Sequence, residues 1–146
     1  MIIISHRGYV DGPDRTLENN PDHILNLLSH NIEVEIDVWL IKNNYFLGHN
    51  DCRYKIEKEF LKQKGLWCHA KNIQALEAML SSNIHCFWHQ VDDYAITSRG
   101  YIWAYPGKKT SGEKTVLLFP ERFPEIQYKK YDFICTDYVH TYKEKK

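Results

Sequence analysis

Two carboxylates stand one residue apart in the apolar run Val34-Glu35-Ile36-Asp37-Val38. If that run is a strand, its side chains alternate between faces and Glu35 and Asp37 share one of them. Two carboxylates so placed repel each other unless a cation lies between them, and carboxylate oxygens are the ligands that Mg²⁺ and Ca²⁺ prefer. Alternation alone does not say which face is turned inward, so a polar strand edge stays open at this point. The spacing recurs in Leu66-Trp67-Cys68-His69-Ala70-Lys71, where His69 and Lys71 share a face. His6 and Arg7 follow the run Ile2-Ile3-Ile4, and His49 follows Tyr45-Phe46-Leu47-Gly48. Each of these strand-like segments delivers ionisable side chains at its carboxyl end, the end at which parallel α/β folds build their sites.

Together these residue types suit phosphodiester chemistry. A cation held by Glu35 and Asp37 binds a phosphoryl oxygen and offsets its charge. Arg7 holds further oxygens by a forked pair of bonds and Lys71 as a point charge. His6 and His49 titrate near neutrality, and cleavage needs one base and one acid. The chain has no GxSxG, Walker A or GxGxxG pattern, which disfavours serine-nucleophile, nucleoside-triphosphate and dinucleotide chemistry. No pair of ligands has zinc-finger spacing.

The elements that must position these groups alternate strand and helix, the pattern of an α/β fold with a mainly parallel sheet. Strands are expected over 2–4, 34–40, 45–48, 66–71, 84–88, 101–105, 116–119 and 133–136, the second and third joined as a hairpin through Asn43-Asn44. A helix opened by Pro21 and capped by Asn20 carries Ile24, Leu25, Leu27 and Leu28 at helical spacing. Others are expected over 57–63 and 73–80, with short turns over 92–99 and 123–129. Tyr101, Trp103 and Tyr105 share one strand face, either to pack the core or, for Tyr105 beside Pro106-Gly107, to touch substrate. His89 and Asp137 have only strand-end location to recommend them, and His23 and His30 on the first helix are expected to face solvent.

With 146 residues, 43% apolar and 26% charged, the chain is expected to form one domain over 1–146. Its formal net charge of zero gives no overall attraction to nucleic acid or an anionic membrane. The start Met1-Ile2-Ile3-Ile4-Ser5-His6-Arg7 has neither a basic leader nor a membrane-spanning run. Cys52, Cys68, Cys86 and Cys135 form no CxxC pair and read as reduced thiols, the latter three as core fillers, in a cytoplasmic protein.

At His6-Arg7-Gly8, Glu18-Asn19-Asn20-Pro21, Glu35-Ile36-Asp37, Gly48-His49 and His69-Ala70-Lys71 the chain resembles the glycerophosphodiester phosphodiesterase family. The resemblance implies a TIM-type (β/α) barrel and a Mg²⁺ or Ca²⁺ ion, with Mn²⁺ as a substitute. It also implies hydrolysis of a glycerol phosphodiester, a reaction of lipid metabolism, in which a neighbouring hydroxyl can attack phosphorus and form a cyclic phosphate. Carried over by position, His6 and His49 are the acid/base pair, Arg7 and Lys71 contact phosphate, Glu35 and Asp37 bind metal, and Glu18 supports the site. Phospholipase-type lyases that stop at the cyclic phosphate, and a relative that binds a phospho-ligand without turnover, remain as alternatives. Three departures stand out. His69 occupies a position that is acidic in the family: either it is a ligand, and an imidazole there favours a softer ion than Mg²⁺, or it is no ligand and water or a later residue fills that position. Asn50, not Asp, follows His49. The subdomain inserted after that histidine is absent.

A TIM barrel typically needs ~250 residues and seldom fewer than ~200. The expected architecture is therefore a reduced barrel of seven or eight short strands with several outer helices missing. Strands left uncovered would expose apolar faces, so a homo-oligomer burying the aromatic second half is expected.

Overall fold

The computed structural model describes residues 1–144. Ten strands form one mixed sheet, accompanied among the described residues by three short helices. The strands are β1 (Ile2–His6), β2 (Glu33–Ile41), β3 (Asn44–Leu47), β4 (Tyr54–Ile56), β5 (Leu66–Ala70), β6 (Cys86–Phe87), β7 (Tyr94–Ile96), β8 (Ile102–Ala104), β9 (Thr115–Leu118) and β10 (Phe133–Thr136). The helices are α1 (Pro21–Ser29), α2 (Ile73–Ser81) and α3 (Val139–Lys143).

Seven strands run parallel in the spatial order β6-β5-β2-β1-β10-β9-β8, and β7 closes the row antiparallel to β8. Because β1, β2, β5 and β10 are parallel neighbours, their carboxyl ends emerge on one side. β2 is the pivot. Its first half lies between β1 and β5, and its second half turns outward to pair with β3 in an antiparallel hairpin. Lys42 and Asn43 form the two-residue loop, both at positive φ (48° and 63°), the conformation whose twist matches a hairpin. The turn thus sits one residue earlier than the Asn43-Asn44 expected. Asn20 caps α1 as expected, its side chain accepting from the Asp22 and His23 amides.

The sheet has two faces with different cores. On the outer face Ile36, Val38, Cys68, Ala70 and Ile134 pack with Ile24 and Leu27 of α1 and Ala75 and Met79 of α2. On the inner face Ile4, Trp67, Phe87, Trp103, Leu118 and Phe133 pack with one another. The Phe87 ring of β6 lies 4.4 Å from the Trp103 ring of β8, although five strands separate them along the ladder. The sheet is therefore strongly curled, with aromatic rings filling its concavity.

The reduced TIM-type barrel is not what forms. A closed barrel needs an unbroken ladder of paired strands, and here the ladder ends at β6 on one side and β7 on the other. Ser98, in the turn after β7, donates its amide to the Cys86 carbonyl (2.7 Å) and its hydroxyl accepts from the Cys86 amide (2.9 Å). That local bridge caps the β6 edge without pairing it to a strand. The outer layer is also too thin for the expected fold. Residues 92–99, expected as a turn of helix, instead supply β7, and residues 57–63 form only a 3₁₀ turn over Lys58–Lys62. The strand β4 and helix α3 had no counterpart in the expectation. In the aromatic second half Trp103, Tyr101 and Phe133 pack around Trp67, whereas Tyr94, Tyr105 and Tyr138 are exposed.

Candidate metal and phosphate site

The face carrying Glu35 and Asp37 is the concave one. Glu35 is 2% exposed and Asp37 is fully buried, which excludes the polar-edge reading. The strand register sets Asp37 beside His69 and His6 beside Glu35. His69 Nδ1 lies 3.3 Å from Asp37 Oδ1 and 3.7 Å from Glu35 Oε1. Donor atoms of Glu35, Asp37 and His69 all lie within 4.8 Å of one another. Lys71 Nζ approaches Asp37 Oδ1 to 3.8 Å, yet that buried oxygen has no hydrogen-bond partner. Burial and the neighbouring Asp37 charge push the Glu35 carboxyl well above the usual carboxylate range. Burial alone would raise Asp37 too, but the adjacent His49 and His69 rings and the Arg7 charge hold it well below that range. Crowded carboxylates, an orphaned oxygen and an imidazole nitrogen fit a divalent ion.

Asp37 is anchored from below by Asn19. The Asn19 side-chain amide donates to Asp37 Oδ2 (3.0 Å), and its carbonyl accepts from the Asp37 backbone amide (2.9 Å). Asn19 is itself fully buried, at φ 54°, a left-handed conformation that asparagine tolerates better than most residues. Arg7, at φ 55°, begins the loop after β1. Its amide donates to the Glu35 backbone carbonyl at 3.0 Å, and its Nε lies 3.3 Å from Asp37 Oδ2. Glu18 stands behind, 3.9 Å from the Arg7 guanidinium, and accepts from the Tyr9 hydroxyl. The His23 ring, expected in solvent, instead donates from Nε2 to the Gly8 carbonyl (2.8 Å) and ties this loop to α1.

The two catalytic candidates each stand beside one carboxylate. His6 Nδ1 donates to Asp137 Oδ1 at 2.6 Å, which leaves Nε2 as the free nitrogen, 3.9 Å from Glu35 Oε2. Burial lowers the His6 pKa below 6.5, with the Asp137 hydrogen bond opposing. His49 Nδ1 lies 3.4 Å from Asp37 Oδ2, and its Nε2 accepts from the Arg7 guanidinium at 3.2 Å. Gly48 makes that placement feasible: at φ 154°, a Cβ there would come within 1.9 Å of the Asp51 carbonyl. Asn50 and Asp51 lie outside the site, and Asp51 pairs with Arg15 on the surface.

These groups border one open cleft of about 540 Å³. His6, Arg7, Glu35, His49, His69, Lys71 and Tyr105 line it; Asp37 lies beneath and Glu18 behind. Tyr105 is 43% exposed at the rim, its ring 5.7 Å from that of His89. Asp137, His89 and Arg122 line the cleft as well. Asp137, 3% exposed, follows β10 directly and is braced by the Glu121 carboxylate at its amide (3.2 Å) and by Arg122 (3.5 Å). Strand-end location was the one signal for it in the sequence. No family model, no curated protein and no solved structure matches this chain.

Proposed function

We propose that the protein is a metal-dependent phosphodiesterase that cleaves a glycerophosphodiester or a related small phosphodiester by histidine acid/base catalysis. The observation that carries this reading is the convergence of two imidazoles, each within 4 Å of one member of a buried acidic pair, in a cleft also lined by Arg7 and Lys71. Glu35, Asp37 and His69 would hold the divalent cation, for which Mg²⁺ or Ca²⁺ is the expectation from resemblance. Bound there, such an ion would offset charge on the phosphoryl oxygens.

The chain's own groups supply the rest. Arg7 and Lys71 fix the remaining oxygens and orient phosphorus. His6, neutral near pH 7 with Asp137 fixing its tautomer, takes the proton of the attacking oxygen at Nε2. His49 gives a proton to the leaving alkoxide from Nε2 once bound phosphate has drawn the Arg7 guanidinium off that nitrogen and it has been protonated. Tyr105 and the apolar wall of Phe87, Trp103 and Leu118 receive the organic part of the substrate. Three buried free thiols, Cys68, Cys86 and Cys135, suit work in a reducing cytoplasm.

The test is metal-supplemented hydrolysis of bis-p-nitrophenyl phosphate. His6→Ala and His49→Ala are each expected to lower kcat by at least ~10²-fold while the variants keep the wild-type circular dichroism spectrum. Full activity in either folded variant would remove that histidine from the mechanism.

A further inference from the structure

His69 carries information beyond its place in the cluster. Its Nε2 faces the backbone carbonyl of His89 at 3.2 Å. A carbonyl only accepts, so Nε2 bears the hydrogen, and in the neutral ring that a metal ion requires Nδ1 presents a lone pair. That lone pair is aimed at two carboxylate oxygens, at 3.3 Å and 3.7 Å. Three lone pairs converging at such distances repel unless a proton or a metal ion lies among them, and the separations suit neighbouring ligands on one small ion. The ring cannot easily turn away, because it stacks at 5.1 Å and 5° on Phe87 and at 5.2 Å on His89. A backbone carbonyl that fixes the tautomer of an imidazole is the usual companion of metal-binding histidines. Asp37 Oδ1, buried and without a hydrogen-bond partner, completes a donor set of one nitrogen and two carboxylates.

We infer that His69 makes this a site for a nitrogen-preferring transition-metal ion of the zinc, cobalt and iron(II) group, with Mg²⁺ and Ca²⁺ as weak occupants. The inference rests on the metal site of the proposed function and replaces the ion expected there. Imidazole donors suit such ions, whereas all-oxygen sites suit Mg²⁺ and Ca²⁺. Phe87 and the His89 carbonyl act as positioning groups that keep Nδ1 on the ion.

The experiment reads binding, not turnover. Metal-free protein is titrated calorimetrically with Zn²⁺, Co²⁺, Mg²⁺ and Ca²⁺, and Mn²⁺ at one equivalent serves as a paramagnetic probe for pulsed EPR. In the wild type the Mn²⁺ spectrum should show ¹⁴N coupling from one imidazole, and His69→Gln should lose it. His69→Glu should lower the ratio of zinc to magnesium affinity by at least about tenfold. A ratio within about threefold of wild type, or no ¹⁴N coupling in the wild type, would overturn the inference. If His69→Glu does not fold, the wild-type and His69→Gln spectra decide alone. A protein that binds zinc through His69 yet cleaves no phosphodiester would refute the proposed function and leave this inference standing.

Discussion

Asp137 and His6 are 131 residues apart in the chain and 2.6 Å apart in space, and the pairing decides what His6 can do. By accepting from Nδ1, Asp137 leaves Nε2 toward the cleft and stabilises the imidazolium that forms when His6 takes a proton. Asp137→Asn preserves the shape but invites the wrong tautomer. It is expected to lower kcat by ~10²–10⁴-fold with little change in KM, as steady-state kinetics on a phosphodiester would show. Asn19 acts on the other side of the acidic pair. Asn19→Ala strands both the Asp37 amide and one lobe of its carboxylate, and should cost about 2–3 kcal/mol in urea denaturation. At this scale much was legible from the sequence. Period-two spacing marked Glu35 with Asp37 and His69 with Lys71, and strand ends marked His6, Arg7 and His49. Asp137 and Asn19 were not legible as partners, because their roles depend on β10 lying beside β1 and on a left-handed turn after Leu17, neither of which leaves a local pattern.

β2 positions more of the site than any other element, and nine residues let it serve two neighbours in succession: parallel strands first, a hairpin after. Strands and hairpin were readable from alternation and from turn residues. β7 was not, since a three-residue strand with Tyr94 and Ile96 exposed owes its form to pairing with β8 and not to its own pattern. Beneath the site the inner-face rings act as a floor. Trp67 touches His85, Tyr101, Trp103 and Phe133 and donates to Glu33 at 2.6 Å, so Trp67→Ala should cost about 3–5 kcal/mol. His85 gives this floor a pH dependence. Packed on Trp67, it has its pKa lowered from 6.5 to about 4, mainly by burial and secondly by Arg99. Above pH 6.5 it is neutral whether folded or not, and its packing is fully available. As pH falls from 6.5 toward 4 the unfolded chain gains a proton that the folded one refuses, so stability falls with it. The loss should reach about 2 kcal/mol after allowance for solvent screening. Equilibrium unfolding across that range should show the slope in the wild type and a smaller one in His85→Gln.

The whole molecule is a curled sheet whose concave face is packed with aromatic rings and gathers its ionisable groups at the carboxyl ends of the strands. Sequence patterning locates strands but does not say whether a ladder closes, because closure depends on what the last strand meets. Here β6 meets a turn held by Ser98 and the far edge ends in the antiparallel β7, so the sheet stays open. Of the aromatic second half, Tyr101, Trp103 and Phe133 pack around Trp67, while Tyr94, Tyr105 and Tyr138 are exposed. At the β7 edge Ile96 is 74% exposed. No helix of the described residues is long and apolar enough to cross a membrane. If the buried acidic pair is held apart by an ion, metal and fold are linked: a metal at a hundred times its Kd should stabilise the protein by about 2.7 kcal/mol, visible as a rise in Tm that EDTA reverses. The most direct measurement of the central claim is phosphorus NMR of a glycerophosphodiester incubated with metal-loaded protein. A phosphomonoester or cyclic phosphate signal should grow with the wild type and fail to appear with EDTA or with His6→Ala. Substrate that stays intact with every divalent ion supplied, or product that forms equally well with His6→Ala, would contradict it.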